Sequence, residues 1–253
     1  MIIRIHTFVY IAFFQILLTN AAADEVRVAV AANFLSTLNE IVQNFERETG
    51  HTVMISSGSS GKLFAQVKHG APFDVFLSAD SARPRLMEEE GLAVHGSRFT
   101  YAVGRLTLWS ADPHLIRGDG TLVLENGNFQ HLAIANPKTA PYGVAARKTL
   151  QGLGLWDQVK DRIVQGENIG QTFQFVFSQN AQMGFVSLSQ VLDPKINGAG
   201  SRWDVPANLY DPLNQQAVLL IQGQHNKAAI AFLNYVKGTK ARNIIERFGY
   251  GLE

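Results

Sequence analysis

No cysteine occurs among the 253 residues, so this protein has neither a disulfide to hold it nor a thiolate to do chemistry. An excess of one charge is also missing. The chain carries 22 basic and 21 acidic residues, and no stretch gathers the basic ones into the patch that nucleic acid or an anionic membrane would require. Histidines at metal-ligand spacing are absent: His51, His69, His95, His114, His131 and His225 are scattered, and each reads as a surface or capping residue. There is no internal repeat, low-complexity tract or charge run. Stability must therefore come from packing, for which a length of roughly 230 residues beyond the leader suffices, as one large domain or two lobes.

The leader is the one long apolar run. Arg4 supplies a positive start, Thr7 to Leu18 is almost wholly apolar, and Ala21-Ala22-Ala23 offers the small residues that a signal peptidase reads. Residues 1–23 thus read as a secretory signal peptide cleaved before Asp24; a membrane-spanning helix would need about 20 apolar residues. Cleavage removes Arg4 and no acid, which turns 22 and 21 into 21 and 21.

From Val26 onward, short apolar runs alternate with amphipathic ones. Val26 to Ala31 reads as a buried strand, and Leu35, Leu38, Ile41, Val42 and Phe45 recur at helical spacing until Gly50. Thr52 to Ser56 and Val75 to Leu77 read as further strands, each followed by a helix. This rhythm predicts βαβ units and a mostly parallel sheet covered on both faces. A second block repeats it from Leu132, with helices at Gly143 to Leu153 and Gly170 to Asn180. Between and after the blocks, Phe99 to Val103, Leu106 to Trp109 and Ala217 to Ile221 are extended runs with no helix between the first two, which suits connections crossing from one lobe to the other and back. This places residues 24–103 and 218–253 in one lobe and 104–217 in the other.

Ligands in such sheets sit beyond the carboxyl ends of the strands, and the polar residues there form one constellation. Ala32-Asn33, Ser60 within Ser56-Ser57-Gly58-Ser59-Ser60-Gly61, and Tyr142 each follow a strand and open or precede a helix; Ile169 lies just before the Gly170 helix, where only its backbone N–H could serve. Taken singly, Asn33 and Ser60 are good N-caps, Tyr142 a turn aromatic and Ile169 a core residue. Their recurrence at one topological place in both blocks, with no Lys or Arg among them, points to an anion held by hydrogen bonds and helix termini alone. Catalytic patterns fail. Ser59-x-x-Lys62 lacks its companion motifs, Gly61-Lys62 lacks the first glycine and the hydroxyl residue of a P-loop, and Ser60 has no histidine base on a matching loop. An enzyme is therefore not expected, and neither is a cofactor.

Val28-Ala29-Val30-Ala31-Ala32-Asn33-Phe34-Leu35, Ser57-Gly58-Ser59-Ser60-Gly61, the run from Gly70-Ala71-Pro72 through Asp74-Val75-Phe76 to Ser78-Ala79-Asp80, Asn136-Pro137, Ala140-Pro141-Tyr142-Gly143 and Gly184-Phe185-Val186 resemble, in order and spacing, the periplasmic molybdate-binding proteins of ABC importers. The resemblance extends from Val26 to the Phe248-Gly249-Tyr250-Gly251 tail. It implies an α/β, type II periplasmic-binding-protein fold: two lobes joined by two crossover strands, with molybdate or tungstate in the cleft for delivery to an inner-membrane ABC permease, by a periplasmic monomer. Carried over position by position, the oxyanion donors fall on Ala32, Asn33, Ser60, Tyr142 and Ile169, with no protein atom bonded to the metal; Asp74 and Asp80 cap or orient loops. Many members carry a tyrosine after the motif that is Gly184-Phe185-Val186 here, where this chain has Ser187. The resemblance therefore implies that the Tyr142 hydroxyl reaches the anion and that Ser187 does not.

The chemistry of the donors bears on selectivity. Molybdate at neutral pH is an unprotonated dianion that only accepts hydrogen bonds, whereas hydrogen phosphate would want an acceptor in the shell. Sulfate matches molybdate in charge and can be rejected by cavity size alone, so a receptor for sulfate or thiosulfate is the alternative.

Overall fold

The computed structural model describes residues 24–196 and 199–252; the signal peptide expected at 1–23 lies outside the described residues. The first lobe opens with β1 (Glu25–Ala31), which passes through one 3-10 turn (Ala32–Phe34) into α1 (Leu35–Thr49). β2 (Thr52–Gly58), α2 (Ser60–Lys68), β3 (Val75–Leu77), α3 (Ala82–Glu89) and β4 (Phe99–Gly104) follow. After Arg105 the chain builds the second lobe from β5 (Leu106–Ser110), α4 (Thr121–Asn126), β6 (Leu132–Ala135), α5 (Pro141–Gly152), α6 (Trp156–Val159), β7 (Ile163–Gly166), α7 (Ile169–Phe177), β8 (Met183–Ser187), α8 (Leu188–Val191) and β9 (Ser201–Asp204). It returns through β10 (Leu213–Leu219) to α9 (Lys227–Lys237) and α10 (Thr239–Arg247).

Each lobe holds one five-stranded sheet, ordered β2-β1-β3-β10-β4 and β7-β6-β8-β5-β9. The three βαβ strands of each are parallel, as the alternating pattern predicts. One strand in each sheet is reversed: β10 runs antiparallel to β3 and β4, and β5 antiparallel to β8 and β9, because these two strands enter from the opposite lobe rather than over a crossover helix. The run read as Ala217 to Ile221 is the end of a strand that begins at Leu213. Asn214, Gln215 and Gln216 hid its start, and a lobe boundary at 217/218 cuts through a strand that pairs along its length in the first sheet.

Alternation along the strands covers both faces of each sheet. Val26, Val28 and Val30 pack under Phe34, Leu38, Ile41 and Phe45, with α9 and α10 beside them. Ala29 and Phe76 meet Leu63, Val67 and Met87 of α2 and α3 on the other face. In the second lobe Leu132 and Ile134 pack against Ala146 and Leu150 of α5, and Ala133 and Val186 against Phe173 and Val176 of α7. With both sheets buried on two sides, their carboxyl ends are fixed platforms for the loops between the lobes.

Candidate functional site

Four of those loops turn at once into helix N-termini. After β1, Ala31 is extended (φ −61°, ψ 133°) and Ala32 begins the 3-10 turn. After β2, Ser59 caps α2 by accepting from Lys62 N at 3.4 Å. The cap expected at Ser60 thus belongs to its neighbour, which leaves Ser60 as the first helical residue with its hydroxyl free of capping. Ser60 Oγ instead accepts from Ala79 N–H at 2.9 Å, which leaves its proton uncommitted by that bond. After β6, Pro141 opens α5, its fixed φ suited to a first helical position, and Tyr142 follows. After β7, Asn168 caps α7 by accepting from Gln171 N at 3.0 Å, so Ile169 is the first residue.

All five residues expected from the sequence, Ala32, Asn33, Ser60, Tyr142 and Ile169, line one cavity of about 10 Å³ between the lobes. Such a volume holds about one water-sized group, far less than the few hundred Å³ of an organic-ligand pocket. Ala31, Gly58, Ser59, Ala79, Ala140 and Pro141 complete the walls, and among the described residues no charged side chain lines it. The N–H groups of Ser60, Tyr142 and Ile169 fall in the first turns of their helices, where no carbonyl lies four residues back to accept from them. The lobes are closed around this place. Gly61 N–H donates to Thr139 O across the cleft at 2.9 Å, and a Cβ on Gly61 would press on that same carbonyl. The Ala32 methyl lies 3.5 Å from where a side chain on Gly170 would begin, and Lys62 pairs with Glu167 at the exposed rim. Asp74 and Asp80 stand outside the cavity: Asp74 accepts from Arg27 N–H at 2.7 Å, and Asp80 accepts from Arg83 N–H at 2.9 Å and pairs with its guanidinium.

The Tyr142 hydroxyl has protein partners: it is 3.1 Å from Ser187 Oγ and accepts from Gln215 Nε2 at 3.1 Å. Tyr142 sits second in α5, so its N–H falls at the helix start beside the cavity. The Asn33 side chain has partners in the same place, its Nδ2 donating to Gln215 Oε1 at 2.8 Å and to Tyr250 Oη at 3.0 Å, while Oδ1 is buried without a partner among the described residues. Behind the cavity lies a buried polar cluster that the sequence reading missed: Tyr101, Ser187, Ser189, Gln215 and Tyr250 join Asn33 and Tyr142. The signal that could have revealed it is the amide run Asn214-Gln215-Gln216 ahead of the apolar Ala217-Val218-Leu219. Burial pushes the Tyr101 and Tyr142 hydroxyls well above the usual tyrosine range, and lifts Tyr250 to about 12, so all three stay protonated near neutral pH.

The profile of a family described as "Bacterial extracellular solute-binding protein" matches residues 26–251. The chain belongs to that family. It is 51% identical over 234 residues to the molybdate-binding protein ModA of Azotobacter vinelandii, covering 92% of both chains, and 47% identical over 233 residues to that of Rhodobacter capsulatus, covering 92% of this chain and 90% of the relative. The solved structure of the A. vinelandii periplasmic molybdate-binding protein superposes with a TM-score of 0.87 at 43% identity, over 90% of this chain and 99% of that one. This family member thus has two α/β lobes joined by crossover strands, the architecture that the resemblance implied.

Proposed function

We propose that this protein captures molybdate in the periplasm and hands it to an inner-membrane ABC permease. It is a binding protein and not an enzyme. The observation that carries the reading is the convergence of four helix N-termini from two lobes on one small cavity free of charged side chains, in a chain half identical to a molybdate-binding protein. Each terminus contributes roughly half a positive charge, so four together answer the charge of a dianion.

Ala32, Asn33, Ser60, Tyr142 and Ile169 act through N–H groups, joined by the Ser60 hydroxyl. Molybdenum is held through its oxygens, with no bond from protein to metal, and tungstate, of the same shape and charge, is a second ligand. Neutral donors leave no unpaired buried charge when the ligand departs. The full donor set exists only with the lobes shut, so the anion selects the closed state, hinging at Arg105 and in segment 205–212. The loaded protein is a monomer, beginning at Asp24 after removal of the signal peptide.

Titration calorimetry of refolded, ligand-free protein with molybdate, tungstate, sulfate and phosphate tests the reading. Molybdate and tungstate bind tightly, and phosphate does not. Sulfate binding as tightly as molybdate would turn the assignment to a general sulfate-type receptor.

A further inference from the structure

The buried cluster behind the cavity is a closed circuit. Starting at Asn33, Nδ2 donates to Gln215 Oε1 at 2.8 Å, and Gln215 Nε2 donates to Tyr142 Oη at 3.1 Å. Tyr142 Oη is 3.1 Å from Ser187 Oγ, which is 2.6 Å from Ser189 Oγ. Ser189 Oγ donates to Tyr250 Oη at 2.8 Å, and Tyr250 Oη donates back to the Asn33 carbonyl at 2.8 Å. All six side chains are at most 4% exposed. Tyr101 joins as a spur, donating to Gln215 Oε1 at 3.0 Å.

The circuit crosses between the lobes twice. Gln215 on β10 of the first sheet meets Tyr142 on α5 of the second lobe, and Ser189 on α8 of the second lobe meets Tyr250, beside α10 in the first. A register shift between Gln215 and Gln216 falls at this point, as bulges do where a side chain must be re-aimed. Gly104, the last residue before the crossing, leaves the needed room: a Cβ there would collide with Tyr142 Oη and Gln215 Nε2. Two anion-site residues, Asn33 and Tyr142, are thereby tied to each other from opposite lobes. The Asn33 side-chain NH2 and its backbone carbonyl are both occupied by the circuit, which fixes its peptide and leaves the backbone N–H for the cavity.

Resting on the molybdate reading for its ligand, we infer that this circuit is the closed-state lock of the protein, with Gln215 as the positioning residue that links the two halves of the anion site. Opening the lobes breaks both crossings at once and exposes groups that must then be hydrated. The lock therefore adds to closure without touching the ligand, and it sets how long the anion stays.

The test uses Gln215→Leu and, as a milder break on the other crossing, Ser189→Ala. Gln216→Leu is the control: Gln216 neighbours Gln215 but bonds outside the circuit, to Arg98 and Thr100. Stopped-flow release of molybdate should quicken about tenfold or more in both circuit variants, with association changed less than release, since most interface changes act on the off-rate. Release from Gln216→Leu should match wild type, and the double variant should lose less than the product of the singles because the two share one network. A second readout needs no ligand. As the chain has no cysteine, spin labels on Lys62→Cys and Glu167→Cys report the lobe separation across the rim, and Gln215→Leu should shift the ligand-free protein toward longer distances. Release unchanged in Gln215→Leu, or quickened equally in Gln216→Leu, would overturn the lock, as would unchanged label distances. Wild-type protein that failed to bind molybdate would instead refute the functional reading, and the label distances would then decide the lock alone.

Discussion

Replacing Ser60 by alanine separates two jobs that one hydroxyl performs. Its oxygen accepts from the buried Ala79 N–H at 2.9 Å, and under the proposed function its proton goes to the anion. Losing a hydrogen bond to a charged group costs about 1.5–3 kcal/mol, which lowers affinity roughly 10- to 150-fold. The other loss leaves the Ala79 N–H unpaired and costs about 1–3 kcal/mol of stability even without ligand; for a chain of this size, Tm falls roughly 2–4 °C per kcal/mol. Calorimetry measures the first effect and thermal unfolding of ligand-free protein the second. Ser59→Ala is the matched control. It removes the α2 cap, worth about 0.5–2 kcal/mol of stability, while keeping the Ser60 hydroxyl, so Tm should fall with affinity nearly intact. If Ser60→Ala kept its affinity within about threefold while Ser59→Ala lost it, the donor assignment at this helix would be wrong.

Ser187→Ala should weaken molybdate binding about as much as Tyr142→Phe, and the double variant little more than either, because the two hydroxyls are partners 3.1 Å apart; calorimetry on the three variants checks this, and multiplicative losses would refute it. Raising the pH should destabilise the protein only at strongly alkaline values. Tyr101, Tyr142 and Tyr250 have raised folded-state pKa values, so the folded state holds protons that the unfolded chain gives up near its ordinary value of about 10; their stabilisation is complete below that pH and is lost as pH climbs through the folded values, about 12 for Tyr250. Tyrosinate absorbance should therefore rise together with loss of the fold, and free titration near pH 10 in intact protein would contradict the burial argument. Lys62→Ala should change affinity by less than about fivefold, since its pair with Glu167 is more than half exposed on each side and such pairs contribute about 0–1 kcal/mol; a large, salt-sensitive loss would instead make the rim pair part of the closure.

The fold was legible where one physical signal sufficed. Val26, Val28 and Val30 alternate with the right period, Leu38, Ile41 and Phe45 recur at helical spacing, and glycines such as Gly50, in the left-handed region at φ 74°, stop helices where the sequence says they should. β10 was legible only at its apolar end. Its first half carries Asn214, Gln215 and Gln216, and a polar strand start can be recognised only when the partners that satisfy it are known. Those partners lie far off in sequence: Gln215 bonds to Asn33, 182 residues away, and to Tyr142, 73 away.

The candidate site divides along the same line. Backbone N–H groups at helix starts are placed by local sequence, so Ala32, Asn33, Ser60, Tyr142 and Ile169 could be found as positions. What a side chain at such a position does depends on which way it turns, and that is decided by tertiary contacts. Tyr142 shows the difference. Its place second in α5 follows from Pro141, but its hydroxyl goes to Gln215 and Ser187 because Gly104 leaves room there and because a buried hydroxyl must find partners. Ser187, which the resemblance left without a contact to the anion, is part of the joint between lobes: its Oγ lies 3.1 Å from the Tyr142 hydroxyl. Under the proposed function, anion binding falls to backbone dipoles with the Ser60 hydroxyl, and the tyrosines, amides and remaining serines form the joint between lobes. On this division, substitutions at the joint should alter how long the anion is held, and the recognition of its charge should stay with the helix termini.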